Sequence, residues 1–191
     1  MDLWMWILIA VVAFVIVVGL AVFVARERRR RRSLRGRFGP EYERRIEAAR
    51  SRRKAERELA GRAERRDELD IRPLPEPARQ RYAEQWGELQ ARFVDRPVVA
   101  VVDADELISQ VMRDRGYPVD DDFESQSELI SVDHPDVVQN YRTGHAIFTK
   151  TTTGEASTED LRKAVVAYRA LFEDLLTGDG VSTESEADVR S

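Results

Sequence analysis

The residues best suited to chemistry are Asp133, His134, Tyr141 and His145, within the stretch SVDHPDVVQNYRTGH. Two histidines beside carboxylates suit metal ligation or titration near neutral pH. Tyr141 and His145 are four apart and so share a helical face. His134 and His145 lie about three turns apart, roughly 16 Å along one helix, too far to meet on a single ion. The spacing therefore favours a capped helix start at His134 and a packed His145 over a ligand set. Asp120, Asp121 and Asp122 lack the alternation and glycine of a calcium loop and read as an acidic helix cap. The chain contains no cysteine, which excludes disulfides, thiolate metal sites and a cysteine nucleophile. No GxGxxG, GxxxxGK[ST], GxSxG or HExxH motif occurs. These residues point to no enzyme, no cofactor and no metal.

The clearest signal is physical. Residues Leu3 to Ala25 form 23 uncharged positions, roughly 34 Å as a helix against a hydrocarbon core of about 30 Å. The run is too long, and its N-terminal flank too poor in basic residues, for a cleaved signal. It reads as a retained transmembrane anchor, with Trp4 and Trp6 suited to the headgroup layer. Residues 26–37 then hold eight arginines against one glutamate. Arg26, Arg28, Arg29, Arg30, Arg31 and Arg32 are expected on the cytoplasmic side, touching anionic lipid, with the N-terminus outside.

Charge divides the remainder. Residues 26–70 carry 18 basic and 10 acidic side chains, net +8, whereas residues 71–191 carry 13 and 24, net −11. The acidic part should avoid anionic lipid and nucleic acid. Residues 41–70, rich in Arg, Glu and Ala, read as one charged, solvated helical stalk with i,i+4 pairs Glu41–Arg45 and Glu58–Arg62. Its stripe Tyr42, Ile46, Ala49 runs into Arg53 and Glu56, so a sustained coiled-coil seam fails. Weak homo-oligomerisation through the stalk stays open. Pro73, Pro75 and Pro77 make residues 71–76 an extended hinge.

Residues 77–177 read as a small helical bundle, giving an all-α chain of transmembrane helix, stalk and C-terminal domain. Tyr82, Trp86, Leu89 and Phe93 mark one helix face. Asp95 is expected to cap a second helix, which carries Val98 through Met112 and stops at Gly116. Asp121 or Asp122 caps a third, and Asp133 a fourth bearing Val138, Tyr141, His145 and Phe148. Thr149 to Gly154 reads as a β-branched loop. Ser157 and Asp160 form a capping box for the last helix, ended by Gly178. Residues 178–191 are acidic and serine-rich, a disordered tail.

The stretches WGELQARFVDRP, MRDRGYPVDDDFE, SVDHPDVVQNYRTGH and STEDLRKAVVAYRALFEDLL resemble a family of uncharacterised bacterial single-pass membrane proteins, mostly from high-GC Gram-positive genomes. The resemblance covers roughly residues 57–177. The 28 arginines against three lysines suit such a genome. The resemblance implies a shared helical domain and no known activity. The functional expectation is a membrane-anchored protein-interaction or scaffold module with a protein partner. The alternatives are a sensor or enzyme built on the Asp133 cluster, and a structural envelope protein oligomerising through its stalk.

Overall fold

The computed structural model describes residues 3–119 and 122–178, with the side chains at 3, 5–13, 15 and 30 outside the description. Asp120, Asp121 and residues 179–191 of the expected acidic tail also lie outside it. The described residues form seven helices and no strand: α1 Leu3–Ala48, α2 Arg52–Asp67, α3 Glu76–Phe93, α4 Pro97–Arg115, α5 Phe123–Asp133, α6 Val138–Thr152 and α7 Thr158–Thr177. The run VVAVV lies within α4, as its continuation into a 3.6-residue period requires.

Helix α1 joins the uncharged run to the arginine cluster without a break. Among the described residues, no helix is long and apolar enough to cross a membrane. The side chains at 3, 5–13 and 15, about half of the uncharged run, are outside that set, so the anchor rests on sequence.

The first correction concerns residues 41–70, which are neither one helix nor a free stalk. Gly39 sits at φ 42°, ψ −124°, a backbone conformation reserved for glycine, and Pro40 opens the next helical segment, where its missing N–H costs nothing. The sense of pairing with α2 reverses across this point. Arg31 reaches Glu56 and Arg37 reaches Asp67, whereas Glu41 reaches Arg62 and Arg45 reaches Glu58. A second break at residues 49–51 folds α2 back on the end of α1. Leu34, Phe38, Tyr42, Leu59 and Ala63 thereby form a small core of their own, joined by Val132 of α5. The stripe too short for a coiled-coil seam faces this core instead: Tyr42 is 1% exposed and Ile46 packs against it.

The proline-rich segment is likewise held. The Arg72 N–H donates to the Arg115 carbonyl at 2.8 Å, and Leu74 is buried. Gly116 ends α4 at φ 97°, in the left-handed cap its position predicts. A Cβ there would lie 2.5 Å from the Asp70 carbonyl oxygen, so close backbone approach also demands glycine.

Helix α7 packs on α4 and α6, α3 covers α4, and α5 links α6 to the neck formed by α1 and α2. The core gathers the expected faces: Tyr82, Trp86 and Leu89 of α3, Ile108 and Met112 of α4, Tyr168 and Leu171 of α7. Trp86 stacks on Phe172 with centroids 4.6 Å apart. Three boundaries depart from the sequence reading. Asp95 does not cap α4; Arg96 takes that position with no side-chain bond. Asp133 ends α5 instead of capping α6. Helix α6 continues through the threonine run, whose hydroxyls bond back to the helix: Thr149 donates to the His145 carbonyl at 3.0 Å and Thr151 to that of Ile147 at 2.9 Å. The caps at Asp122 and at Ser157 with Asp160 form as read. Gly178 ends α7, but at φ −70°, not left-handed.

Gly116→Ala is expected to lower stability by at least about 1–2 kcal/mol, the cost of a left-handed non-glycine residue. Thermal unfolding of the purified chain reads this as a clear drop in Tm, and an unchanged Tm contradicts the cap geometry.

Candidate functional site

The four residues singled out for chemistry do not converge. Asp133, at the end of α5, accepts from Arg66 Nε at 2.6 and 2.7 Å and from the Tyr117 hydroxyl at 2.7 Å. Burial, then the Asp133 charge, pushes the Tyr117 hydroxyl far above the ordinary tyrosine value, so it stays a donor. His134 caps α5 and is 5% exposed; its Nδ1 bonds the Asp174 carboxylate, while its Nε2 is buried without a partner. Tyr141 donates to Gln126 Oε1 at 3.2 Å. His145 stacks on Phe123 with centroids 3.6 Å apart, its Nδ1 3.5 Å from Asp105, which also accepts from the Tyr168 hydroxyl. Asp133 and His134 thus lie beside Tyr117, whereas Tyr141 and His145 both pack on Phe123, with centroids 4.9 and 3.6 Å away. Among the described residues, no group of three His, Asp or Glu is placed to hold a metal ion. A groove of 310 Å³ between α3 and α4 is lined by Gln85, Glu88, Arg92, Asp103, Glu106 and Gln110, and Arg92 pairs with Asp103 at 3.1 Å. It brings together no nucleophile and base.

Sequence reasoning missed the polar network that joins neck to bundle. Glu41, 5% exposed, accepts both Arg142 guanidinium N–H groups at 2.9 Å, with Arg62 at 3.5 Å and Arg44 at 3.3 Å. Arg62, itself buried, reaches on to Glu128 at 2.9 Å, and Arg65 shares that carboxylate at 2.7 Å. The i,i+4 partners expected for Glu41 and Glu58 are therefore replaced by partners across the fold, Arg142 and Arg45. Residues about a hundred positions apart carry no periodic signal. Within the neck, Glu56 accepts from Tyr42 at 2.9 Å and Arg52 at 3.0 Å. Burial pushes the Glu56 carboxyl up, but the bonds from Arg52 and Tyr42 and the charge of Arg31 outweigh it, leaving it below the usual glutamate value. Asp67 is held low by its bond from Arg37. Beside the segment that follows α2, Arg115 donates to the Leu175 and Gly178 carbonyls at 2.6 and 2.8 Å, a cation closing the C-terminus of α7.

The arginines of α1 divide by face. Arg31 turns toward the body, bonding Glu27 at 3.0 Å and lying 3.6 Å from Glu56. Arg26, Arg28, Arg29 and Arg32 are exposed and have no carboxylate partner among the described residues. The Arg30 and Trp6 side chains are outside the described set, and Trp4 is exposed. No known protein family, curated sequence or solved structure matches the chain. The fold and this site define an all-helical protein with a basic neck docked on an acidic bundle.

Glu41→Gln leaves the half-buried Arg142 without its countercharge and Arg62 with Glu128 alone, and is expected to cost about 3–5 kcal/mol. Hydrogen exchange should show α2 and the end of α1 opening before α4 and α7; uniform opening contradicts the network's role. Glu56 and Asp67 are depressed in the folded chain, so their stabilisation is present above their ordinary values of 4.5 and 3.8 and is lost as pH falls through the lower folded values. Acid titration followed by hydrogen exchange should therefore free the neck first, and a neck insensitive to pH below about 4.5 contradicts this assignment.

Proposed function

We propose that the chain is a single-pass membrane protein, N-terminus outside and helical domain in the cytoplasm, which presents that domain to a protein partner at the membrane surface. The carrying observation is the join within α1, where 23 uncharged residues run directly into an arginine cluster whose Arg26, Arg28, Arg29 and Arg32 have no carboxylate partner among the described residues. Such arginines favour the cytoplasmic face and anionic headgroups. The docked neck argues against a flexible spacer and for a domain held in fixed relation to the anchor.

The partner-binding role draws support from exposed apolar side chains where α3 meets α4. Val94 is 83% exposed, and Val98, Val99 and Val102 are 51%, 44% and 39% exposed. Together they form an uncovered apolar strip on an otherwise charged domain. Asp133 and His134 gather at Tyr117 and Tyr141 and His145 at Phe123, so a sensor or enzyme reading built on all four draws no support from their geometry.

Alkaline carbonate extraction of native membranes tests the anchor. The full chain is expected to stay in the pellet and a chain starting at residue 26 to be released; release of both overturns the reading. Cross-linking from the same membranes tests the docking role. Val98→Glu with Val102→Glu is expected to lose a stoichiometric partner that the unaltered chain captures, and identical capture profiles contradict the use of this strip.

A further inference from the structure

We infer that α1 carries a discrete site for one anionic phospholipid, its phosphate held by Arg28, Arg29 and Arg32 and one acyl chain laid along Val17, Ala21 and Val24. This rests on the membrane reading above and adds a stoichiometric, face-specific ligand to it.

The basis is geometric. A shallow groove of 600 Å³ runs along one side of α1, lined by Val17, Leu20, Ala21, Val24, Ala25, Arg28, Arg29 and Arg32. Spacings of three and four place Val17, Ala21, Val24, Arg28 and Arg32 in one stripe along the helix. Ala21 and Ala25 are its small members, so the surface dips between Val17 and Val24 on one side and the arginines on the other. The stripe changes from apolar to cationic at Ala25, within one turn, as a chain-plus-phosphate ligand does. Three guanidinium groups offer planar, multidentate donors suited to phosphate oxygens. Their charge is free for a ligand because no carboxylate of the described residues pairs with them. The body-facing side of the same helix differs: Glu27 and Arg31 pair there, and Leu34 and Phe38 pack into the neck core.

Arg26 supplies the control. It is equally exposed and has no carboxylate partner among the described residues, but it does not line the groove; at 100° per residue it lies about 160° around the helix from Arg28 and about 120° from Arg32, though about 60° from Arg29. A diffuse double layer would count Arg26 and Arg28 alike, whereas a site would not. A phosphate-only site would ignore Ala21, whereas a lipid site would not.

Native mass spectrometry of the full chain, released from micelles containing phosphatidylglycerol, reads the site directly. One retained phosphatidylglycerol is expected, and phosphatidylcholine is expected to be lost. Arg28→Gln and Arg32→Gln should each reduce occupancy about fivefold, the equivalent of one arginine near an anionic surface. Ala21→Phe should reduce it through the groove with charge unchanged, and Arg26→Gln should leave it as it was. Equal losses for Arg26→Gln and Arg28→Gln overturn the site in favour of diffuse attraction. Full retention by Ala21→Phe, with displacement by inorganic phosphate, overturns the lipid in favour of a free anion. Carbonate extraction of the same variants separates the two proposals. If the chain stays in the membrane while either overturning result appears, only the lipid site fails. If the unaltered chain is extracted, the membrane reading fails with it.

Discussion

A single buried carboxylate organises the molecule. Glu41 is 5% exposed and lies between the Arg142 fork of α6 and the buried Arg62 of α2, so three helices meet on one charge. Removing a carboxylate from water costs several kcal/mol, and only well-placed countercharges offset it. The arrangement satisfies that condition only when Gly39 turns the chain, α2 folds back and α6 presents Arg142 at the same point. The charge thus specifies how the neck sits as much as it stabilises it.

From that constraint the division of charge acquires a structural meaning. The basic neck and acidic domain do not simply repel and attract different surroundings. Arg62, Arg65 and Arg66 are matched by Glu128 and Asp133. Arg26, Arg28, Arg29 and Arg32, which have no carboxylate partner among the described residues, directly follow the uncharged run. Neutralisation inside the fold leaves this cluster as exposed positive charge at the end of the uncharged run.

Much of the bundle was legible in the sequence because its signals are local. Gly116 stops α4, Ser157 and Asp160 box the start of α7, and the aromatic spacing of α3 marks its buried face. The neck was misread for the complementary reason. Its stripe of Tyr42, Ile46 and Ala49 is too short to signal a core, and although Glu27–Arg31 and Arg52–Glu56 pair along their helices, Glu41 and Glu58 reach Arg142 and Arg45 instead of Arg45 and Arg62. Arg142 and Glu41 are about a hundred residues apart, beyond any periodicity. The threonine run misled because β-branched residues favour loops and strands until their hydroxyls bond back to the preceding turn. Of the chemical candidates, His134 meets Asp174, His145 meets Asp105 and Tyr141 meets Gln126, neighbours that arise only in three dimensions.

Through Glu41, Arg142 and Arg62 the neck and bundle are held as one body. The cysteine-free chain permits single spin labels at any exposed position. Double electron–electron resonance between labels at Glu47 on α1 and Ala146 on α6, in the full chain in lipid, tests the claim most directly. One narrow distance distribution, broadened when Glu41 is replaced by Gln, is the result the account predicts. A broad distribution in the unaltered chain would contradict it and restore the free stalk.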